Sequence, residues 1–235
     1  MADLQSDIAR NLAEVRLRIR KSAQDAGRSP GEVRLVAVSK TFGLEHVRAA
    51  EAAGQQDFGE NRVQEALQKI DGSTDLRIRW HLIGTLQSNK VRKAVPRFSA
   101  IHSVDSLRLL EAIDAAAADA GAAPELLIQV DLAGEATKHG APPAAVREIV
   151  RAATRCRSAR VVGLMTSPPF FENPEDARSY FVQLRDLRAT LVEEGLDPAL
   201  LRDLSMGMSH DFEIAVQEGA TIVRLGTAIF GKRQV

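Results

Sequence analysis

Short apolar runs alternate with helical patterns along almost the whole chain, and this alternation restricts the fold more than any other feature of the sequence. Eight runs have the length and composition of strands, and they cover residues 34–39, 56–59, 78–84, 100–104, 126–132, 161–165, 204–206 and 221–226. Between them, helical patterns begin near Leu44, Asn61, Gln87, Ser106, Pro142, Pro174 and Ser209. Strands that alternate with helices in this way are parallel and are joined by right-handed crossovers.

The number of these units predicts a closed barrel. Eight βα units fit into a chain of 235 residues, close to the roughly 250 residues typical of the (β/α)8 TIM barrel. Apolar residues spaced by three and four between Leu4 and Ile19 add an amphipathic helix that ends near Gly27. We therefore expect an α/β protein, a single (β/α)8 barrel domain over residues 1–235 with an extra N-terminal helix. A doubly wound open sheet is the alternative, but no G-x-G-x-x-G turn follows the first strand.

Composition narrows the class of partner. The chain carries 31 Lys and Arg against 31 Asp and Glu, and its mean hydropathy is −0.14. No run approaches the roughly 18 uncharged apolar residues of a membrane-spanning helix, and the N-terminus has no signal core. We expect a cytoplasmic protein that uses neither a membrane nor nucleic acid, since zero net charge removes the main attraction for a polyanion. No Cys/His cluster has the spacing of a zinc site, so no metal is expected.

Lys40 directly follows the first strand, at the end of the barrel where active sites lie. Desolvation there favours the neutral amine, which can attack an aldehyde and form an imine. A strand-end lysine that reaches solvent is the simpler interpretation, and on spacing alone it is the better one.

The residues that follow the last two strands favour the interpretation of Lys40 as an imine-forming lysine. Residues 205–209 (SMGMS) and 224–227 (RLGT) are rich in glycine and hydroxyl side chains. They suit a phosphate site, because backbone N–H groups can approach an anion there and barrels frequently bind phosphate after strands seven and eight. Such an anchor would face Lys40 across the barrel mouth. An ordinary helix N-cap also explains Ser209, a tight turn also explains Gly226, and both interpretations stay open.

Other polar residues near the strand ends carry weaker signals. Glu60 follows the second strand as a lone carboxylate, and we expect a structural hydrogen-bond acceptor rather than a general base. His46, His102 and His139 are scattered singly, and we expect them to serve packing or solvent contact. None of these residues is assigned to the site.

Five segments carry a resemblance to a known family: VAVSKTF at 36–42, FGENRVQEA at 58–66, WHLIGTLQSNK at 80–90, GLMT at 163–166 and LSMGMSHDFEIAVQEGATIVRLGTAIFG at 204–231. Together they resemble the YggS/PROSC family of pyridoxal 5′-phosphate (PLP) homeostasis proteins. The resemblance runs nearly end to end, and its long C-terminal block is specific. It implies an alanine-racemase-like barrel, PLP fold type III, with PLP held as an internal aldimine on the lysine that Lys40 matches.

The resemblance also implies the residues around the cofactor ring. Asn61 would border the ring, and Met165 would line the pocket. Arg224 would approach the pyridine nitrogen, where like-charge repulsion disfavours a proton and makes the ring a weaker electron sink.

On the phosphate side, the resemblance implies that Ser205, Gly226 and Thr227 hold the anion. The sequence departs from the commonest family pattern at three positions: Arg62, Asp131 and His210. Because of these departures, the resemblance does not specify the rim of the pocket or the molecule that docks there.

Two classes of function remain. The resemblance implies a PLP-binding protein of intracellular PLP homeostasis with little or no turnover, and it implies PLP-dependent apo-enzymes as partners. We expect a monomer. The alternative is an enzyme, either a PLP-dependent amino-acid racemase or a cofactor-free Schiff-base lyase that uses Lys40.

The racemase needs an acid/base group on each face of its substrate. The chain's only tyrosine, Tyr180, is expected in a helix away from the strand ends. The few residues after Gly226 are too short to build the second domain that carries the opposite base in alanine racemases. The expectation is therefore a protein that binds PLP and hands it on.

Overall fold

The computed structural model describes residues 2–134 and 139–232. Within them, eight parallel strands close into one barrel in chain order. They are β1 (Arg34–Val38), β2 (Asp57–Glu60), β3 (Arg79–Leu82), β4 (Ala100–Val104), β5 (Glu125–Gln129), β6 (Arg160–Met165), β7 (Asp203–Ser205) and β8 (Ile222–Leu225). The pairing of β1 with both β2 and β8 closes the ring, and the predicted (β/α)8 barrel is confirmed.

Helices alternate with these strands. They are α1 (Ala2–Asp25), α2 (Leu44–Ala52), α3 (Val63–Asp71), α4 (Val91–Ala94), α5 (Leu107–Ala120), α6 (Pro143–Ala153), α7 (Arg178–Glu193), α8 (Phe212–Gln217) and α9 (Thr227–Phe230). Short 3-10 helices lie at Pro30–Glu32, Ser88–Lys90, Pro174–Ala177 and Pro198–Leu201. No helix in the described part of the chain is long and apolar enough to cross a membrane.

The extra helix α1 is present as predicted, and its apolar stripe is buried. Ile8, Leu12, Val15 and Ile19 are each at most 5% exposed. The helix packs against α2, α8 and α9, which flank the junction of β1 with β8. Burial of the stripe therefore ties the first segment of the chain to the last and stabilises the closure of the barrel.

Two predicted strands extend past the carboxyl ends of the observed ones by two or more residues. The apolar runs at 78–84 and 126–132 continue past the ends of β3 and β5 because the barrel mouth also needs apolar side chains, and Ile83 lines the cavity described below. Gly84 follows it at a position where a Cβ atom would lie 2.2 Å from the backbone oxygen of Asn61. Glycine at this point lets the loop after β2 approach the end of β3.

The barrel interior has an apolar part and a polar part. Its apolar side chains form a small cluster apart from the larger core around the helices: Val36, Leu127, Val162, Met165 and Ile222.

The polar part includes His81, His102, Ser205 and Arg224, which are each at most 4% exposed. Because β4 and β7 are not neighbours in the ring, the hydrogen bond between His102 and Ser205 crosses the interior.

Candidate functional site

A cavity of about 340 Å³ lies at the carboxyl ends of the strands. This is the volume of a pocket for a small organic ligand. Six of the predicted cofactor residues line it together: Lys40, Asn61, Met165, Arg224, Gly226 and Thr227. They come from the ends of β1, β2, β6 and β8, so the barrel gathers residues that are distant in sequence into one site.

Lys40 occupies the turn after β1, and both of its neighbours are held by hydrogen bonds. The hydroxyl of Ser39 donates to Oε1 of Glu60 at 2.7 Å, and the N–H of Thr41 donates to Oε1 of Glu65 at 2.7 Å. Thr41 has a φ of 70°, which is strained for a β-branched residue. These contacts hold the lysine turn against the local backbone preference.

The side chain of Lys69 joins these contacts into one cluster, in which Lys69 and Glu60 are buried. Its Nζ donates to Oε1 of Glu60 at 2.7 Å, to Oε1 of Glu65 at 2.9 Å and to the backbone oxygen of Ser39 at 2.8 Å. Burial raises the pKa of Glu60 above its ordinary value, although Lys69 and Ser39 oppose the rise. Oε2 of Glu60 is buried without a hydrogen-bond partner among the described residues. Glu60 thus accepts hydrogen bonds as expected, but the interpretation of it as a lone carboxylate is wrong.

Arg224 lines the same cavity while only 4% exposed. Its Nη1 donates to Oγ of Ser205 at 2.7 Å, and its Nη2 donates to the backbone oxygen of Thr166 at 2.9 Å. Burial lowers the pKa of Arg224 to about 10, and Asp211 opposes the shift. The guanidinium therefore remains a cation at neutral pH and is held at two of its nitrogens.

Ser205, which was predicted at the phosphate, is not among the residues that line the cavity. Its side chain is fully buried, and the hydroxyl contacts Arg224 and Nδ1 of His102, the latter at 2.9 Å. The physical reason is that Ser205 still belongs to β7, and its side chain points into the barrel interior beneath the cavity.

Ser209, in the loop after β7, lines the cavity. Its Oγ accepts hydrogen bonds from the N–H groups of Gly226 at 3.1 Å and Ala228 at 3.3 Å. The alternative role as a helix N-cap is not observed, because α8 begins only at Phe212. Ser209 instead ties the loop after β7 to the turn after β8.

Asp211 is a cavity residue that was not predicted from the sequence. It is 6% exposed, and its Oδ1 accepts a hydrogen bond from the N–H of Met208 at 2.6 Å. Burial raises its pKa, while that hydrogen bond and the charge of Arg224 oppose the rise. Asp211 directly precedes α8, where an aspartate is a common N-cap, but its side chain turns back to Met208 and does not cap the helix.

The expectation that His102 stands alone is also wrong. Its Nε2 lies 2.9 Å from Nδ1 of His81, because β3 and β4 are neighbours. Nε2 of His81 lies 2.9 Å from Oδ1 of Asp57, which also accepts from Arg79. Burial acts to raise the pKa of Asp57, but the hydrogen bonds from His81 and Arg79 outweigh it and hold that pKa below its ordinary value.

Other residues named from the sequence lie around the rim. His210 lines the cavity and stacks with Phe170, which is 75% exposed. Arg62 and Asp131 border neighbouring cavities. Tyr180 lines the cavity that contains Asp131, at the ends of β5 and β6, so the expectation that it lies away from the strand ends is wrong. It does not line the cavity of Lys40.

Comparison with known proteins agrees with this architecture. Residues 10–234 match the family model described as alanine racemase, N-terminal domain. The pyridoxal phosphate homeostasis protein of Aquifex aeolicus is 44% identical, over 95% of this chain and 97% of that protein. The protein of the same name from Pseudomonas aeruginosa is also 44% identical, over 97% of this chain and 96% of that protein.

Solved structures give the same picture. PipY of Synechococcus elongatus PCC7942, with PLP bound, superposes with a TM-score of 0.85 at 41% identity, over 95% of this chain and 100% of that one. An alanine racemase from Clostridium difficile 630 has a TM-score of 0.73 at 15% identity, over 98% of this chain and 58% of that one. The second likeness concerns the fold alone.

Proposed function

Because the chain belongs to the family of pyridoxal phosphate homeostasis proteins, with the fold of the alanine racemase N-terminal domain, we propose that it binds PLP and acts in PLP homeostasis. PLP is held covalently on Lys40, with little or no turnover. The observation that carries this proposal is that Lys40 shares one cavity with Arg224 and with the turn at Gly226 and Thr227. The PLP-bound structure of PipY supports it.

The residues at this cavity fit the cofactor. PLP supplies an aldehyde that condenses with a primary amine, together with an anionic phosphate. Lys40 offers the amine at the end of β1. Ser209 offers a hydrogen-bond donor, because its Oγ already accepts two backbone N–H groups and its own proton is left to donate. The turn at Gly226 and Thr227 lies beside it, so Ser209 takes the phosphate role predicted for Ser205.

The ring end of the site supports retention of PLP over rapid chemistry. Arg224 presents a cation to the cavity, with Asn61 and Met165 in the same lining. A guanidinium beside a pyridine nitrogen disfavours a proton there, which weakens the ring as an electron sink. The residues of this chain therefore favour a bound cofactor with low turnover.

The enzyme alternatives have less support. A racemase needs a second acid/base group opposite Lys40, and Tyr180 lines a different cavity. A cofactor-free Schiff-base lyase would need an anion site only if its substrate were phosphorylated, whereas PLP always carries a phosphate. For these reasons, both enzyme activities have less support than a role in PLP homeostasis.

The same proposal extends to partners and organisation. PLP-dependent apo-enzymes would receive the cofactor, so we place the protein with them in the cytoplasm, as a single-domain monomer. The chain has 31 basic and 31 acidic residues, so it has no net positive charge to attract a nucleic acid, and we propose no nucleic-acid partner. Light scattering coupled to gel filtration measures the oligomeric state directly.

Exchange of the α-proton tests the homeostasis role against the racemase. PLP-loaded protein is incubated with L- or D-alanine in deuterated water, and exchange and inversion are followed by NMR. We expect a rate far below roughly 1 per second, which is the lower range of ordinary enzymatic turnover. Exchange with inversion at that rate or faster would contradict the proposal and restore the racemase.

A further inference from the structure

One line of hydrogen bonds runs through the barrel interior from the amino end of β2 to the carboxyl end of β8. It links five side chains in order: Asp57 to His81 at 2.9 Å, His81 to His102 at 2.9 Å, His102 to Ser205 at 2.9 Å, and Ser205 to Arg224 at 2.7 Å. All five residues are at most 5% exposed. Water is therefore a poor substitute for any lost partner, and each bond depends on the next.

The two ends of the line determine its proton order, that is, which atom of each hydrogen-bonded pair carries the proton. Arg224 can only donate, and the ionised carboxylate of Asp57 can only accept. Burial lowers the pKa of His102 well below its ordinary value, and the charge of Arg224 adds to the effect, so the ring is neutral and has one donor nitrogen. The hydroxyl of Ser205 then accepts from Arg224 and donates to His102.

The same order continues to the other end. His102 donates from Nε2 to Nδ1 of His81, and His81 donates from Nε2 to Asp57. Both rings therefore carry their proton on Nε2. In the reverse order, His102 would donate from Nδ1 to Ser205 and accept at Nε2 from His81. His81 would then be doubly protonated, because it also donates to Asp57, and the hydroxyl proton of Ser205 would take no part in the line.

We propose that His102 and His81 are positioning residues that orient Arg224 toward the cofactor ring. The backbone oxygen of Thr166 gives the guanidinium one fixed anchor, through Nη2 at 2.9 Å. The second anchor, the hydroxyl of Ser205, can rotate about its own bond. His102 accepts the hydroxyl proton and so keeps a lone pair of Ser205 directed at Nη1 of Arg224. This inference rests on the proposed function, because Arg224 faces PLP only if PLP occupies the cavity.

The far end of the line is also anchored. Asp57 and His81 line a second cavity of about 440 Å³ at the opposite mouth of the barrel, together with Arg79. Arg79 donates to both carboxylate oxygens of Asp57, each at 2.7 Å. This bidentate pair fixes the carboxylate that His81 contacts. The orientation of Arg224 at one mouth thus depends on an ion pair at the other.

Histidine side-chain nitrogen resonances of the uniformly ¹⁵N-labelled full chain, without PLP, test the proton order. We expect both His81 and His102 as neutral rings protonated at Nε2. A ring of His102 protonated at Nδ1, or a doubly protonated His81, would overturn the inference. This measurement does not depend on whether the protein binds PLP.

The positioning role is tested with Ser205→Ala and a matched control, Ser103→Ala. Ser103 is buried next to His102 in β4, and its hydroxyl has no hydrogen-bond partner among the described residues. Ser205→Ala should weaken PLP binding by about tenfold or more and shift the visible absorbance band, because a hydrogen bond to a charged group is lost. Ser103→Ala should leave both unchanged. A Ser205→Ala protein with the wild-type affinity and band would overturn the inference.

Two substitutions of His102 separate positioning from packing. His102→Asn keeps an acceptor close to the place of Nδ1 and should keep most of the PLP affinity, whereas His102→Leu removes it and should match Ser205→Ala. Equal effects of the two would show a purely structural role and overturn the inference. Failure of the wild-type protein to bind PLP would instead contradict the proposed function, and the resonances of the apo-protein would still decide the proton order.

Discussion

Nζ of Lys69 lies 2.7 Å from Oε1 of Glu60, and the two side chains are 9% and 0% exposed. The same ammonium group reaches the backbone oxygen of Ser39, directly before Lys40. The pair therefore has a structural task, which is to hold the turn that presents Lys40 to the cavity. A buried ion pair of this kind is costly to break at one partner, because the other charge is left without compensation.

The first prediction concerns this pair. Lys69→Met should lower the free energy of unfolding at pH 7 by about 3–5 kcal/mol, measured by urea denaturation. Burial already raises the pKa of Glu60, and loss of Lys69 raises it further. Because the folded pKa is then above the unfolded one, the variant should be most stable below the unfolded pKa and should lose stability as the pH rises through the folded pKa.

A double variant provides the control for that experiment. Lys69→Met combined with Glu60→Gln carries no buried charge and should recover a large part of the stability at pH 7. Lys93→Met, at an exposed lysine, should change little. Equal stability of Lys69→Met and the wild type at pH 7 would contradict the account of the cluster.

The second prediction concerns acid stability. The pKa of Asp57 stays below its ordinary value because its hydrogen bonds outweigh burial. Its ionised form therefore stabilises the fold above the unfolded pKa of about 4, and this contribution is lost as the pH falls through the folded pKa. Asp57→Asn should cost about 2 kcal/mol at pH 7, and the difference from the wild type should shrink as the pH falls below about 4. A difference that is independent of pH, in denaturation curves between pH 7 and pH 2, would contradict this role.

The third prediction concerns the phosphate. Ser209→Ala removes the hydroxyl that joins the loop after β7 to the N–H groups of Gly226 and Ala228. The variant should bind PLP about tenfold or more weakly, since a charge-assisted hydrogen bond contributes roughly 1.5–3 kcal/mol. Pyridoxal, which lacks the phosphate, is the matched control ligand and should bind the variant and the wild type alike. Equal losses for both ligands in equilibrium titrations would remove Ser209 from the phosphate site.

The fold and the location of the site could be predicted from the sequence because both follow from periodic and local signals. Alternating strands and helices predict the barrel, and a barrel places its site at the strand ends, where Lys40 and Gly226 stand. The hydrogen-bond line through His81 and His102 could not be predicted in this way, because it depends on which side chains meet across a closed ring. The difference between Ser205 and Ser209 has a related cause: Ser205 ends β7 inside the barrel, whereas Ser209, four residues later, lies in the loop that lines the cavity.

The contacts of Glu60 were missed for a different reason. Lys69 lies nine residues further along the chain, on α3. Only the packing of α3 against β2 brings its ammonium group back to the end of that strand. A single sequence holds no local signal for a pair of this kind.

The attachment of the cofactor to Lys40 is the central claim, and one measurement tests it most directly. PLP-loaded protein is reduced with borohydride, digested and mapped by mass spectrometry, with Lys40→Met and the exposed-site variant Lys93→Met treated in parallel. We expect the pyridoxyl group on Lys40 in the wild type and in Lys93→Met, and no visible PLP band in Lys40→Met. A label on a different lysine, or a Lys40→Met protein with the wild-type spectrum, would contradict the account.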